Sequence, residues 1–190
     1  MRLFLGIAAV VLNSIGYYPY IRDILRGKVK PQRMTWGIWT ILTSIIAVNQ
    51  IANEGGWSSL FFVSTSILVI STFLLSLKYG IGGYEKLDIA CCVLAFALFV
   101  YWATVKDTRI STLIAVNIDL IAVIPTVIKT FKLPDTESYP QWMLAGIGGL
   151  LSLLAVPKLD WVLLIYPAYI FVANYIIVGT KYFRERKIIS

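Results

Sequence analysis

The chain has no histidine, only two cysteines and little charge: Asp, Glu, Lys and Arg make up 14% of its 190 residues. Without histidine the commonest general base and metal ligand is missing. A soluble domain carries about a quarter charged residues, so an ordinary water-facing surface is excluded too. Cys91 and Cys92 are neighbours inside an apolar run. Adjacent positions on a helix point different ways, which argues for packing rather than a disulfide. No metal or cofactor is expected, and a catalytic centre lacks its usual parts, so an enzyme is not expected either.

What is present is apolar: 58% hydrophobic residues and a mean hydropathy of +0.78. Apolar runs recur at 3–25, 34–52, 57–77, 88–105, 110–131, 140–156 and 161–179. Each is long enough to cross a hydrocarbon core at about 1.5 Å per residue. The expected fold class is all-α integral membrane, with seven transmembrane helices. Arg2 precedes the first run, but no small-residue cleavage site follows, so the run is read as a retained span.

A net charge of +7 suggests nucleic acid in a soluble protein; here the cations sit in short loops and read as topology signals. With seven spans, thirteen of the seventeen Lys and Arg fall on one side. They are Arg22, Arg26, Lys28, Lys30, Arg33, Lys78, Lys86, Lys129, Lys132, Lys181, Arg184, Arg186 and Lys187. Arg2, Lys106, Arg109 and Lys158 fall on the other. The bias predicts a multi-pass protein of the cytoplasmic membrane with its N-terminus outside and its C-terminus in the cytoplasm. The lipid bilayer is the first expected partner and nucleic acid is not one; homo-oligomerisation stays open.

The stretch GYYPYIRDILRGKVKPQRMTWGIW (16–39) joins a span containing Pro19, a basic loop and a Pro-Gln that opens the next span. AVIPTVIKTFKLPDTESYPQWMLAGIG (122–148) repeats that order around Pro125. PQRMTWGI and PQWMLAGI agree at five of eight positions. The in-span prolines are 106 residues apart and the Pro-Gln pairs 109 apart, so the second loop is three residues longer. The repeat unit is then three helices, spans 1–3 and 5–7, with span 4 as a spacer that restores the orientation. This gives a first three-helix bundle at 1–79, linker helix 4 at 80–107, and a second three-helix bundle with a short cytoplasmic tail at 108–190. The halves are expected to be related by an axis along the membrane normal, with a solute site near the midplane between them.

This three-one-three order, with a proline late in the first helix of each unit and a basic loop after it, resembles the SWEET and PQ-loop superfamily over essentially the whole chain. It is similar to small microbial seven-span members with a Tyr-x-Pro-Tyr-x-x-Asp-Ile-x-Arg-Gly opening. The resemblance implies an alternating-access transporter of a sugar or other small polar solute, with Pro19 and Pro125 as hinges. The two literal Pro-Gln pairs, Pro31-Gln32 and Pro140-Gln141, are expected to start second helices, with proline in the first turn.

Asp119 is the only acidic residue well inside a span, and no lysine or arginine is expected within one. A charge at the bilayer centre is costly, so Asp119 should face protein or water. Its repeat mate is Asn13. Gly6, Ala9, Asn13, Gly16 and Tyr20 share one helix face, and so do Thr112, Ala115, Asp119, Ala122 and Thr126. Such a stripe serves close helix packing or lines a cavity. Asn174 resembles the third-helix asparagine with which SWEET-like proteins hold sugar; span 3 offers only Ser64, Ser66, Ser71 and Thr72. Trp36 and Trp39, one turn apart, can stack on a solute or form an interfacial belt. Trp142 and Trp161 read as belt or packing residues. The candidate solute-binding set is therefore Asn13, Asp119, Asn174, Trp36 and Trp39. The competing class is a seven-helix receptor or assembly protein without transport, which needs no internal repeat. A retinal photoreceptor needs a lysine deep in the last span, which is absent.

Overall fold

The computed structural model describes the backbone of residues 1–105 and 107–189, and the side chains of all these except 108 and 187–189. Lys106 and the side chain of Lys187, counted among the loop cations above, therefore lie outside the described residues. The described chain forms seven α-helices: α1 Arg2–Leu25, α2 Arg33–Ala52, α3 Ser58–Tyr79, α4 Lys86–Thr104, α5 Thr108–Lys132, α6 Tyr139–Ala155 and α7 Trp161–Ile189. A 3-10 turn at Pro134–Thr136 takes up the three extra residues of the second basic loop. No strand occurs among the described residues, and a single bridge pairs Gln32 with Ile81.

The helix ends follow local chemistry. The Gln32 side chain accepts the Thr35 amide at 2.8 Å and caps α2; Asp107 accepts the amides of Arg109 and Ile110 and caps α5. Both satisfy donors that a helix start leaves without partners. α1 stops where Gly27 takes a φ of +70°, which lets the Lys28 amide turn back onto the Asp23 carbonyl. Pro140 lies in the first turn of α6 as expected, but Pro31 precedes the cap of α2 and lies outside the helix. Its carbonyl instead accepts the Ile81 amide.

Six helices are long and apolar enough to cross a membrane. α6, with 17 residues, spans about 26 Å, yet its two ends reach the same two faces as its neighbours. At one face Tyr139 donates to Glu185 at the end of α7, 2.5 Å away. Past the other end Lys158 pairs with Glu54, which follows α2. The three basic loops meet at the first face: the Lys30 amide donates to the Thr136 carbonyl, and the Arg33 guanidinium to Gly82.

Packing follows the order α1 on α3 on α2, and α5 on α7 on α6. α1 also lies along α6, and α2 along α5; α4 rests chiefly on α5 and touches α2. α1 turns Phe4, Ile7, Val11, Ile15 and Tyr18 outward and buries Gly6, Ala9, Asn13, Gly16 and Tyr20. An apolar outside and a small, polar inside is the polarity of a helix surrounded by hydrocarbon, where close packing and hydrogen bonds drive association. The small residues do approach closely. A side chain at Gly16 would stand 3.1 Å from Leu144 Cβ, and one at Gly37 3.1 Å from the Phe73 ring.

Two expectations need correction. α7 does not stop near 179 but runs to Ile189, because Lys181 pairs with Glu185 one turn on and so carries the helix into the basic tail. Lysines do occur within helices: Lys129 in the last turn of α5 and Lys181 in α7 are both buried. Burial is tolerated because the ammonium groups meet Glu137, Glu185 and backbone carbonyls.

Candidate functional site

Six of the seven helices, all but α4, line a cavity of about 60 Å³. At about 10–15 Å³ per water centre, it has room for a handful of waters or a small polar group in this conformation. Asn13, Trp39, Asp119 and Asn174 all face it. Trp36 does not; it is buried behind Trp39, with ring centroids 5.3 Å apart. Pro19 and Pro125 lie in unbroken helices away from its wall. Asn117 points outward and donates to the Leu113 carbonyl.

Asp119 is held by two donors from different helices. The Trp39 indole of α2 reaches Oδ1 at 2.6 Å, and the Tyr166 hydroxyl of α7 reaches Oδ2 at 2.6 Å. Asn13 donates to Thr65 Oγ1 of α3 at 2.8 Å, while its Oδ1 finds no hydrogen-bond partner among the described residues. The difference has a sequence cause. The position equivalent to Trp39, 109 residues on, is Gly148, and Gly148 is where α6 approaches the Ala9 carbonyl of α1. The second helix thus brings an indole to Asp119 and only backbone to the neighbourhood of Asn13. Asn174 donates to the Ile170 carbonyl at 2.7 Å.

Toward the basic face the cavity is closed by aromatic rings. Tyr17, Tyr20, Trp36, Trp39 and Trp142 form a continuous cluster with centroid separations between 5.3 and 6.3 Å. Each such pair contributes about 0.5–1.5 kcal/mol beyond its buried area. Behind it, the Trp142 indole donates to Glu137 Oε2 at 2.8 Å. Glu137 in turn pairs with Lys129, whose ammonium also holds the Lys30 carbonyl at 2.8 Å. One chain of contacts therefore runs from the cavity wall to both basic loops.

The stripe of small and polar residues divides its work. Gly16 and Ala122 make inter-helix contacts, the latter through its carbonyl, which accepts from Thr35 Oγ1 at 2.7 Å. Asn13 and Asp119 face the cavity. Several wall residues lie outside the candidate set named from the sequence: Tyr17, Thr43, Thr65, Gln141 and Trp142. Trp142 packs as expected but also lines the site, and a signal for it existed: it stands where the first unit has Arg33. Among the described residues no cluster of three His, Cys, Asp or Glu side chains is placed for a metal ion.

The chain is thus an all-helical protein whose helices suit a multi-pass membrane protein. Comparison with protein-family models, curated proteins and solved structures finds no match.

Proposed function

We propose that the chain is a membrane transporter that moves a small polar solute by alternating access between two three-helix units, α1–α3 and α5–α7, joined by α4. The observation that carries this is the position of the cavity between packing contacts that the repeat offsets interchange. Gly16 lies on Leu144, and Ala122 lies on Thr35; each pair maps onto the other by the 106- and 109-residue offsets. Within each unit Gly37 meets the Phe73 ring and Gly146 the Tyr175 ring. The packing orders α1-α3-α2 and α5-α7-α6 match as well. A two-fold relation of this kind supports the three-one-three reading, the resemblance to SWEET and PQ-loop proteins, and a solute site shared by both units.

In this reading the aromatic cluster and the Lys129–Glu137 pair form the gate on the basic, cytoplasmic side. Pro19 and Pro125 are the hinges, since each removes a backbone bond from the carbonyl four residues earlier. Asp119 binds the solute or its coupling proton. Reconstituted full-length protein should give saturable solute uptake into liposomes. If Asp119 carries the proton, Asp119→Asn removes the pH dependence of uptake; if it holds solute alone, affinity falls at every pH. Unchanged uptake, affinity and pH response in Asp119→Asn would overturn the role. For topology, Glu54→Cys and Arg186→Cys in a chain lacking Cys91 and Cys92 should label from opposite sides of the membrane. Labelling from the same side would overturn the seven-span arrangement.

A further inference from the structure

We infer that the solute is a small organic cation bearing a primary ammonium group rather than a neutral sugar; this rests on the cavity being the solute site proposed above. The cavity wall carries the Asp119 carboxylate. Among the described residues no lysine or arginine lines it, so Asp119 has no cationic partner in its wall. Two further acceptors, Asn13 Oδ1 and Gln141 Oε1, belong to residues that line the cavity and are buried without hydrogen-bond partners among the described residues. Both side chains are almost wholly enclosed, at 0% and 1% exposure. Buried acceptors left without a donor are costly, so they mark where a ligand donor belongs.

Four of the wall's N–H donors are already used, while the Gln141 amide and the Tyr17 hydroxyl also line it. Asn13 Nδ2 is spent on Thr65, Trp39 Nε1 on Asp119, Trp142 Nε1 on Glu137 and Asn174 Nδ2 on Ile170. A sugar hydroxyl both donates and accepts but carries no charge to offset Asp119. An ammonium group only donates. It brings three N–H donors for such acceptors and a charge that offsets Asp119. Trp39 and Trp142 add aromatic surface of the kind that attracts a cation. The cavity volume limits the group to a small one.

The probes are three size-matched solutes, ethanolammonium, ethylene glycol and glycolate, with glucose as the sugar. Binding to the purified full-length protein is read from tryptophan fluorescence, and transport from counterflow in proteoliposomes. Ethanolammonium should quench saturably, with no competition from ethylene glycol, glycolate or glucose at tenfold excess. Asp119→Asn should weaken its binding at least tenfold, and Gln141→Met, which keeps the volume and forfeits the acceptor, three- to tenfold. Thermal unfolding of each variant reports folding, and Gln141→Met carries the test should Asp119→Asn not fold. Competition by the neutral probes, or full ethanolammonium affinity in either folded variant, overturns the inference. Counterflow of glucose without ethanolammonium binding overturns it while leaving the transporter reading intact. Asp119-dependent ethanolammonium binding with no counterflow of any probe upholds the cation site and overturns transport.

Discussion

Asn13 and Asp119 hold equivalent places in two halves that echo each other in sequence, yet their surroundings differ. Asp119 is tied by an indole from α2 and a phenol from α7; Asn13 has one bond to α3 and a carbonyl oxygen without a donor among the described residues. The basic ends differ as well. The second half is fastened by the buried Lys129–Glu137 pair, whereas Lys28, at the place equivalent to Glu137, is exposed. The first half instead uses Gln32, which donates to Asp88 at 2.7 Å. In the proposed transporter, unequal polar groups at the two equivalent places would orient an unsymmetrical solute.

The largest expected effect is at that buried pair. Glu137→Gln leaves the Lys129 ammonium without its countercharge, and losing one partner of a buried pair costs about 3–5 kcal/mol. Chemical unfolding in detergent measures it. The equivalent change in the first half, Lys28→Ala, should stay within about 0.5 kcal/mol. Equal losses at the two positions would erase the contrast.

Smaller losses separate Gly148 from Trp39. At Gly148 an added Cβ would stand 2.7 Å from the Phe61 ring and 3.2 Å from the Ala9 carbonyl, so Gly148→Ala should cost about 1–3 kcal/mol through overpacking. Trp39→Phe keeps the ring cluster but strips Asp119 of a donor, for about 1–2 kcal/mol. It should also weaken solute binding, which Gly148→Ala should do only in step with its instability. Matching binding losses in both would show that the indole has no specific part.

The least effect is expected at the exposed pair across the opposite face. Lys158 holds the Glu54 carboxyl below its ordinary range through their 2.7 Å contact. A depressed carboxyl adds stability above its unfolded pKa and loses it as pH falls through the folded one. Both groups are solvated, however, and such pairs contribute little. Glu54→Gln should leave the unfolding temperature unchanged at neutral and acid pH.

How much of this was legible in the sequence follows from the range of each interaction. Helix number, the charged loops and the buried faces of α1 and α5 depend on periodicity and composition, which a chain displays residue by residue. So did Asn13, Asp119 and Asn174, because a polar group in an apolar span is conspicuous. The donors to Asp119 were less visible: Trp39 and Tyr166 lie 80 and 47 residues away, and an indole in an apolar run looks the same packed, interfacial or bonded. Lys129 reads as a loop cation in the sequence because Glu137, its partner, comes from beyond the end of its helix. Pro167, inside α7, gives no repeat signal because it has no echo near Phe61 in the first unit.

The most direct test of the central claim needs no knowledge of the solute. Ala173 lies on the cavity wall. In a chain lacking Cys91 and Cys92, Ala173→Cys should react with a membrane-impermeant thiol reagent from either side of sealed vesicles, as the cavity opens alternately to each. Labelling from one side alone, or from neither in folded protein, would contradict alternating access between the two halves.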